Sequence, residues 1–78
     1  MHQPPTFEVD GDAIREERMR AGVEIADMAA RAGLSRRYLS HLETGSRRRM
    51  RPGRYAALRE ALDVIDDRLL ATDQKETE

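Results

Sequence analysis

Glycine stands at positions 22, 33 and 45, and each closes a short run of helix-forming residues. These breaks confine the first half of the chain to short helices. Ala13 to Arg20 form the first run, with Asp12 as the expected N-cap and Gly22 as the stop. A second run covers about Glu24 to Arg31 and ends at Ala32-Gly33. A third opens at Ser35 and ends at Gly45. After a polar, basic connection over residues 46–51, Pro52 suits the first position of a fourth helix, which Tyr55, Leu58, Ala61 and Leu62 continue. Val64 and Ile65 interrupt it, and Asp66 to Leu70 are expected to form a short last helix. No stretch alternates apolar and polar residues as a strand does. The fold class is therefore all-α, with four to five short helices in one domain over residues 11–70. Residues 1–10, with Pro4-Pro5, read as a flexible N-terminal tail in which Phe7 and Val9 offer packing points. Residues 71–78 read as a disordered acidic C-terminal tail.

Composition narrows the chemistry. A chain of 78 residues buries only about 60% of its unfolded surface, which disfavours a deep catalytic cleft. It has no cysteine, so disulfides, thiolate nucleophiles and Cys-based metal sites are excluded. The only histidines are His2 and His41, and His41-Leu42-Glu43 lacks the second histidine of a helical zinc motif. Adjacent acid pairs such as Glu16-Glu17 and Asp66-Asp67 do not converge as an acid/base pair would. No glycine-rich phosphate loop is present. No enzyme, metal or cofactor is expected. No apolar run approaches the ~20 residues that cross a bilayer, and no signal peptide opens the chain. The expectation is a cytoplasmic, nucleoid-associated protein without a membrane partner.

The formal net charge of −1 hides a segregation. Residues 1–30 carry three basic and seven acidic side chains, residues 31–54 carry eight arginines and one acid, Glu43, and residues 55–78 carry three basic and seven acidic. A polyanion responds to the local field of the middle third. Arginine there suits bidentate contact with phosphate and guanine. A GC-rich genome also enriches arginine, although it does not confine the excess to one segment.

Within that segment Met28, Ala29 and Ala32 form an apolar stripe, and Gly33 occupies a turn that needs positive φ. Ser35 is the expected N-cap of the next helix, with Leu34 at N′ and Leu39 at N4 in the hydrophobic-staple arrangement. Leu39 and Leu42 point inward together. Two helices joined by a glycine turn and locked this way make a helix-turn-helix, whose second helix enters the DNA major groove N-terminus first. Arg36, Arg37, Ser40, His41 and Thr44 then face outward. Positive charge at a helix start opposes the dipole, so the Arg36-Arg37 doublet points to an external anion. The alternative is a merely solvated doublet.

Ile14-Arg15-Glu16-Glu17-Arg18 through Ala21-Gly22-Val23, and Met28-Ala29-Ala30-Arg31-Ala32-Gly33-Leu34-Ser35-Arg36-Arg37-Tyr38-Leu39-Ser40-His41-Leu42-Glu43-Thr44-Gly45, resemble the Cro/lambda-repressor-type (XRE-like) helix-turn-helix family. The resemblance spans roughly residues 12–65. It implies a compact lambda-repressor-like domain of five helices that binds double-stranded operator DNA, commonly as a homodimer. It puts base contacts on Arg36, Arg37, Ser40 and His41, and backbone contacts on Ser35, Tyr38, Thr44, Ser46 and the arginines that follow, Arg47, Arg48, Arg49 and Arg51. It also implies a structural ion pair between Arg18 and Glu43. Glu24-Ile25 depart from the family's Ser/Thr-Gln start of the second helix, and Ile25 has no polar group with which to hydrogen-bond a phosphate. The basic loop over residues 46–51 is expected to compensate; the alternative is a mobile, solvated charge run.

The resulting expectation is a sequence-specific transcriptional regulator of bacterial or phage origin, a repressor on an inverted-repeat operator, with RNA polymerase as a further partner. An antitoxin with a cognate toxin, or a phage immunity or excision factor, uses the same domain. From another class, a protein-interaction module could present the basic face to an acidic partner.

Overall fold

Asp10, not Asp12, caps the first helix. In the computed structural model, which describes residues 6–71, Asp10 is extended and its Oδ1 accepts the N–H of Asp12 at 3.0 Å and of Ala13 at 3.3 Å. Asp10 is held there by its own N–H, which donates to the Leu69 carbonyl at 2.7 Å. Asp12 becomes a first-turn acid that complements the dipole. Helix α1 spans Gly11–Ala21. Helix α2 spans Ile25–Ala32, α3 Arg36–Thr44 and α4 Pro52–Leu62.

The first three helices each end on a glycine in the left-handed region, Gly22, Gly33 and Gly45. Helix α4 ends on Asp63 at φ 60°, the one non-glycine residue with positive φ among those described. Its N–H reaches the carbonyls of Arg59 and Glu60, so Asp63 does the work of a C-cap glycine.

The expectation of a strand-free chain is corrected. Strand β1 (Phe7–Glu8) pairs antiparallel with β2 (Arg49–Met50), Phe7 opposite Met50 and Glu8 opposite Arg49. Val9 continues the line, donating to the Arg48 carbonyl at 2.8 Å and bridging Leu70. The tail expected over residues 1–10 is therefore tied into the fold from Phe7 onward. Phe7 sets its ring edge-on to Tyr55, centroids 5.0 Å apart, and Val9 is buried. Met1 to Pro5 and residues 72–78 lie outside the described residues.

The short last helix expected over Asp66 to Leu70 does not form. The Asp66 carboxylate accepts the Arg68 N–H at 3.1 Å and its Nε–H at 2.9 Å, a local bond that competes with helix. The polar backbone beyond it is claimed by the N-terminal segment: the Leu69 carbonyl by Asp10, and the Ala71 N–H by the Glu8 carbonyl at 3.0 Å.

Helix α1 packs on α3, and α2 packs on both α3 and α4. Ile14, Met28, Leu39, Leu42, Met50, Leu58 and Leu69 are fully buried at the centre, each contributing about 2 kcal/mol of transfer free energy. Met50 comes from the two-residue strand and Leu69 from the irregular C-terminal segment, so the small sheet completes the same core. No helix among the described residues is long and apolar enough to cross a membrane.

Candidate nucleic-acid interface

Helix α3 is fixed at both ends. At its start Ser35 is extended and its Oγ accepts the Tyr38 N–H at 3.0 Å. Leu34 and Leu39, either side of that cap, are both buried in the core. The turn before them closes on Gly33 at φ 72°, with the Leu34 N–H on the Ala29 carbonyl at 2.8 Å. At its end Glu43, 4% exposed in its side chain, receives Arg18 Nε at 2.7 Å and Nη2 at 3.0 Å. The third donor of Arg18, Nη1, goes to the Val23 carbonyl at 2.9 Å. One guanidinium thus joins α1, the α1–α2 turn and α3. Hydrogen bonding to Glu43 raises the Arg18 pKa above its usual value against the opposing cost of burial.

The opposite face of α3 is open. Arg36, Arg37, His41 and Thr44 are exposed and Ser40 is half-buried. No acid lies in the first turn of α3. Neither Arg36 nor Arg37 has an ion pair or hydrogen bond through its side chain among the described residues. The two guanidinium groups stand at the positive end of a nine-residue helix without a local counter-charge. Thr44 donates to the His41 carbonyl at 3.4 Å and lies 3.3 Å from the Ser46 hydroxyl. The Arg47 N–H also caps His41, at 3.0 Å.

Two arginines of the basic loop and β2 reach the N-terminal segment. Arg48 and Arg49 approach Glu8 at 3.7 and 3.5 Å, and Arg49 Nε donates to Thr6 Oγ1 at 2.9 Å. Both arginine side chains remain more than half exposed. The β1–β2 register, which puts Glu8 opposite Arg49, creates this pairing. Arg47 lies over the Tyr38 ring, 5.3 Å from its centroid.

The geometry is that of two helices meeting across a glycine turn, the second of them buried on one side and cationic on the other. The family described as "Helix-turn-helix domain" matches residues 11–72. The chain belongs to the helix-turn-helix domain family. Among solved structures, this helix-turn-helix protein is similar to the crystal structure of the clp gene regulator ClgR from C. glutamicum, with 31% identity, 70% of each chain covered and a TM-score of 0.64. No curated protein sequence matches it.

The helix-turn-helix start of α2 departs from the usual polar pair in structure as in sequence. Glu24 occupies the N-cap without a side-chain cap bond, and Ile25 packs against the core. One basic residue at this face was not singled out from the sequence. Arg54, in the first turn of α4, lies over the same Tyr38 ring at 5.1 Å. Its only sequence signal is membership of the arginine-rich third. Thr6, beside Arg49, carried no signal at all, because its position depends on the β1–β2 pairing. Among the described residues no group of three His, Asp or Glu side chains is placed to hold a metal ion.

Proposed function

We propose that the protein is a sequence-specific double-stranded DNA-binding transcriptional regulator of bacterial or phage type, acting as a repressor and binding as a homodimer to an inverted repeat. The observation that carries this function is the Arg36-Arg37 doublet, exposed and without an acidic partner at the N-terminus of a helix held rigid by the core and by Arg18–Glu43. Two cations placed against a helix dipole are destabilising in isolation. A polyanion in contact with that end reverses the cost. The similarity to a gene regulator, the clp regulator ClgR, supports the same function.

In this function the N-terminal turn of α3 enters the major groove. Arg36 and Arg37 read guanine O6 and N7, each good bidentate pair contributing about 1–3 kcal/mol of discrimination. Ser40 and His41, one turn further along, address neighbouring base edges. Ser35, Tyr38, Thr44, Ser46, Arg47, Arg48, Arg49 and Arg51 follow the sugar–phosphate backbone and set the register. Arg18 and Glu43 touch no DNA; they hold α3 at its angle.

Selection of bound duplexes from a random pool tests this directly. The expected product is one motif made of two inverted half-sites spaced by roughly one helical turn or a multiple. A pool that shows no enrichment at any salt concentration contradicts sequence-specific binding.

A further inference from the structure

Ile65 is 88% exposed, more than any other large apolar side chain among the described residues. A single exposed isoleucine is ordinary on a protein surface, but this one is displayed by backbone held on both sides. Helix α4 ends on Asp63 at φ 60°, and the Val64 N–H reaches back to the Arg59 carbonyl at 2.9 Å, which makes a Schellman turn. Arg59 Nε donates to the Val64 carbonyl at 3.4 Å. On the other side, the Asp66 carboxylate accepts three hydrogen bonds from Arg68. The turn buries Val64 and leaves Ile65 in solvent. A contact made by Ile65 therefore orders little backbone, which keeps its entropic cost low.

Ile65 forms one rim of a 400 Å³ groove, lined otherwise by Ala56, Arg59, Glu60, Asp63 and Val64. Both signs of charge are present, and none of Arg59, Glu60 and Asp63 is in an ion pair among the described residues. Such a patch is complementary to itself. Turned about a two-fold axis, Ile65 of one copy meets the groove of the other while Arg59 faces the other copy's Glu60 or Asp63. A basic partner would bring like charge to Arg59, and an acidic one would bring it to Glu60 and Asp63. The patch is at the C-terminal end of α4, a helix about 16 Å long, and the first turn carries Arg54 to the Tyr38 ring. The groove shares no residue with the exposed face of α3.

The size of the patch decides when it is used. Stable interfaces bury about 1,200–2,000 Å², and one isoleucine with one groove per copy falls well short of that. Half-sites on DNA are roughly 34 Å apart, and the described residues extend 37 × 27 × 22 Å, so copies on adjacent half-sites are neighbours. The duplex then supplies the effective concentration, about millimolar, that free chains lack. We propose that Ile65 and this groove are the contact between two copies of the chain, formed when both occupy one duplex and not between free chains. The proposal rests on the DNA-binding function proposed above and names the surface through which paired copies cooperate.

The test compares binding of the full chain to a duplex carrying both half-sites and to the same duplex with one half-site scrambled, with folding checked by circular dichroism. Free wild type is expected to sediment as a monomer at micromolar concentration. On the two-site duplex the second copy is expected to bind about tenfold more tightly than the first. Ile65 is exposed, so Ile65→Ser is expected to fold normally, to bind the one-site duplex as wild type does, and to lose the enhancement on the two-site duplex. Glu60→Lys, which sets a cation against Arg59 of the other copy, is expected to lose it as well. The chain has no cysteine, so Ile65→Cys treated with a short bis-maleimide is expected to give a cross-linked dimer on the two-site duplex and none on the one-site duplex.

Enhancement that survives in Ile65→Ser, or cross-linking that does not distinguish the two duplexes, overturns the Ile65 surface alone. Enhancement unchanged in Glu60→Lys overturns the charge pairing. Independent filling of the two half-sites by wild type, with the one-site duplex still bound, overturns the second copy as occupant in favour of a different protein. A free dimer that Ile65→Ser dissolves overturns the dependence on DNA. A wild-type protein indifferent to every duplex overturns the DNA-binding function itself.

Discussion

Arg18 and Glu43, on α1 and α3, are joined by two charge-assisted hydrogen bonds, Nε to Oε2 at 2.7 Å and Nη2 to Oε1 at 3.0 Å. The pair is largely out of solvent, with side-chain exposures of 12% and 4%. A buried pair is weak evidence for net stability, but breaking one side leaves an uncompensated charge. Glu43→Ala is therefore expected to cost about 3 kcal/mol in urea unfolding. The double variant Arg18→Met/Glu43→Leu is expected to cost clearly less than the two single changes summed. Additive losses would show that the two residues act independently.

Gly11 and Gly53 both sit in first turns, and they respond oppositely to alanine. A Cβ on Gly11 would run into the backbone carbonyl oxygens of Leu42 and Glu43, whereas one on Gly53 meets nothing within 4 Å. Gly11→Ala is expected to lose about 2 kcal/mol by forcing α1 away from α3. Gly53→Ala is expected to be neutral or to gain about 0.5 kcal/mol by restricting the unfolded chain. Thermal unfolding of the two variants decides this. Equal melting temperatures would contradict the close approach of α1 to α3.

The Tyr55 hydroxyl is buried without a hydrogen-bond partner among the described residues, and burial pushes the phenol above its ordinary pKa of 10. The ring itself is well used, edge-on to Phe7 and beneath Arg59. Tyr55→Phe keeps those contacts and removes the unpaired oxygen. A gain of about 1 kcal/mol is expected in chemical denaturation. A loss of that size would mean the hydroxyl has a partner.

Asp66 is held down to about 2 by hydrogen bonds from the Arg68 side chain and backbone. A folded-state pKa below the ordinary 3.8 stabilises the fold above that value and ceases to do so as pH falls through about 2. Carbon NMR of the carboxyl groups is expected to give Asp66 a midpoint near 2. Stability measured from pH 5 down to pH 2 is expected to fall less steeply in Asp66→Asn than in wild type. A midpoint near 4 would contradict the Arg68 contact.

Much of the helical frame was legible because its signals are local. The glycines at 22, 33 and 45, the Ser35 cap and the Leu34 and Leu39 positions each depend on a few neighbouring residues. What escaped depends on distant pairing. The two-residue strands are too short to show a period, so Phe7–Glu8 against Arg49–Met50 left no pattern. The same N-terminal segment carries Asp10, which caps α1 in place of Asp12, and its Glu8 and Asp10 backbone groups bond the Leu69–Ala71 backbone that a fifth helix would have used. At the interface, the exposed face of α3 followed from helical geometry and a family resemblance. Arg54 did not, because its meeting with Tyr38 requires α4, packed on α2, to bring its first turn near the start of α3.

The central claim is that Arg36 and Arg37 read bases while the arginines of the loop hold the backbone. Parallel in vitro selections with wild type, Arg36→Ala, Arg37→Ala and Arg48→Ala test it most directly. The expected result is a wild-type motif that loses its base preference at one or two positions in the Arg36 and Arg37 variants and keeps it, at lower affinity, in Arg48→Ala. An identical motif from all four proteins, or enrichment by none, would contradict the claim.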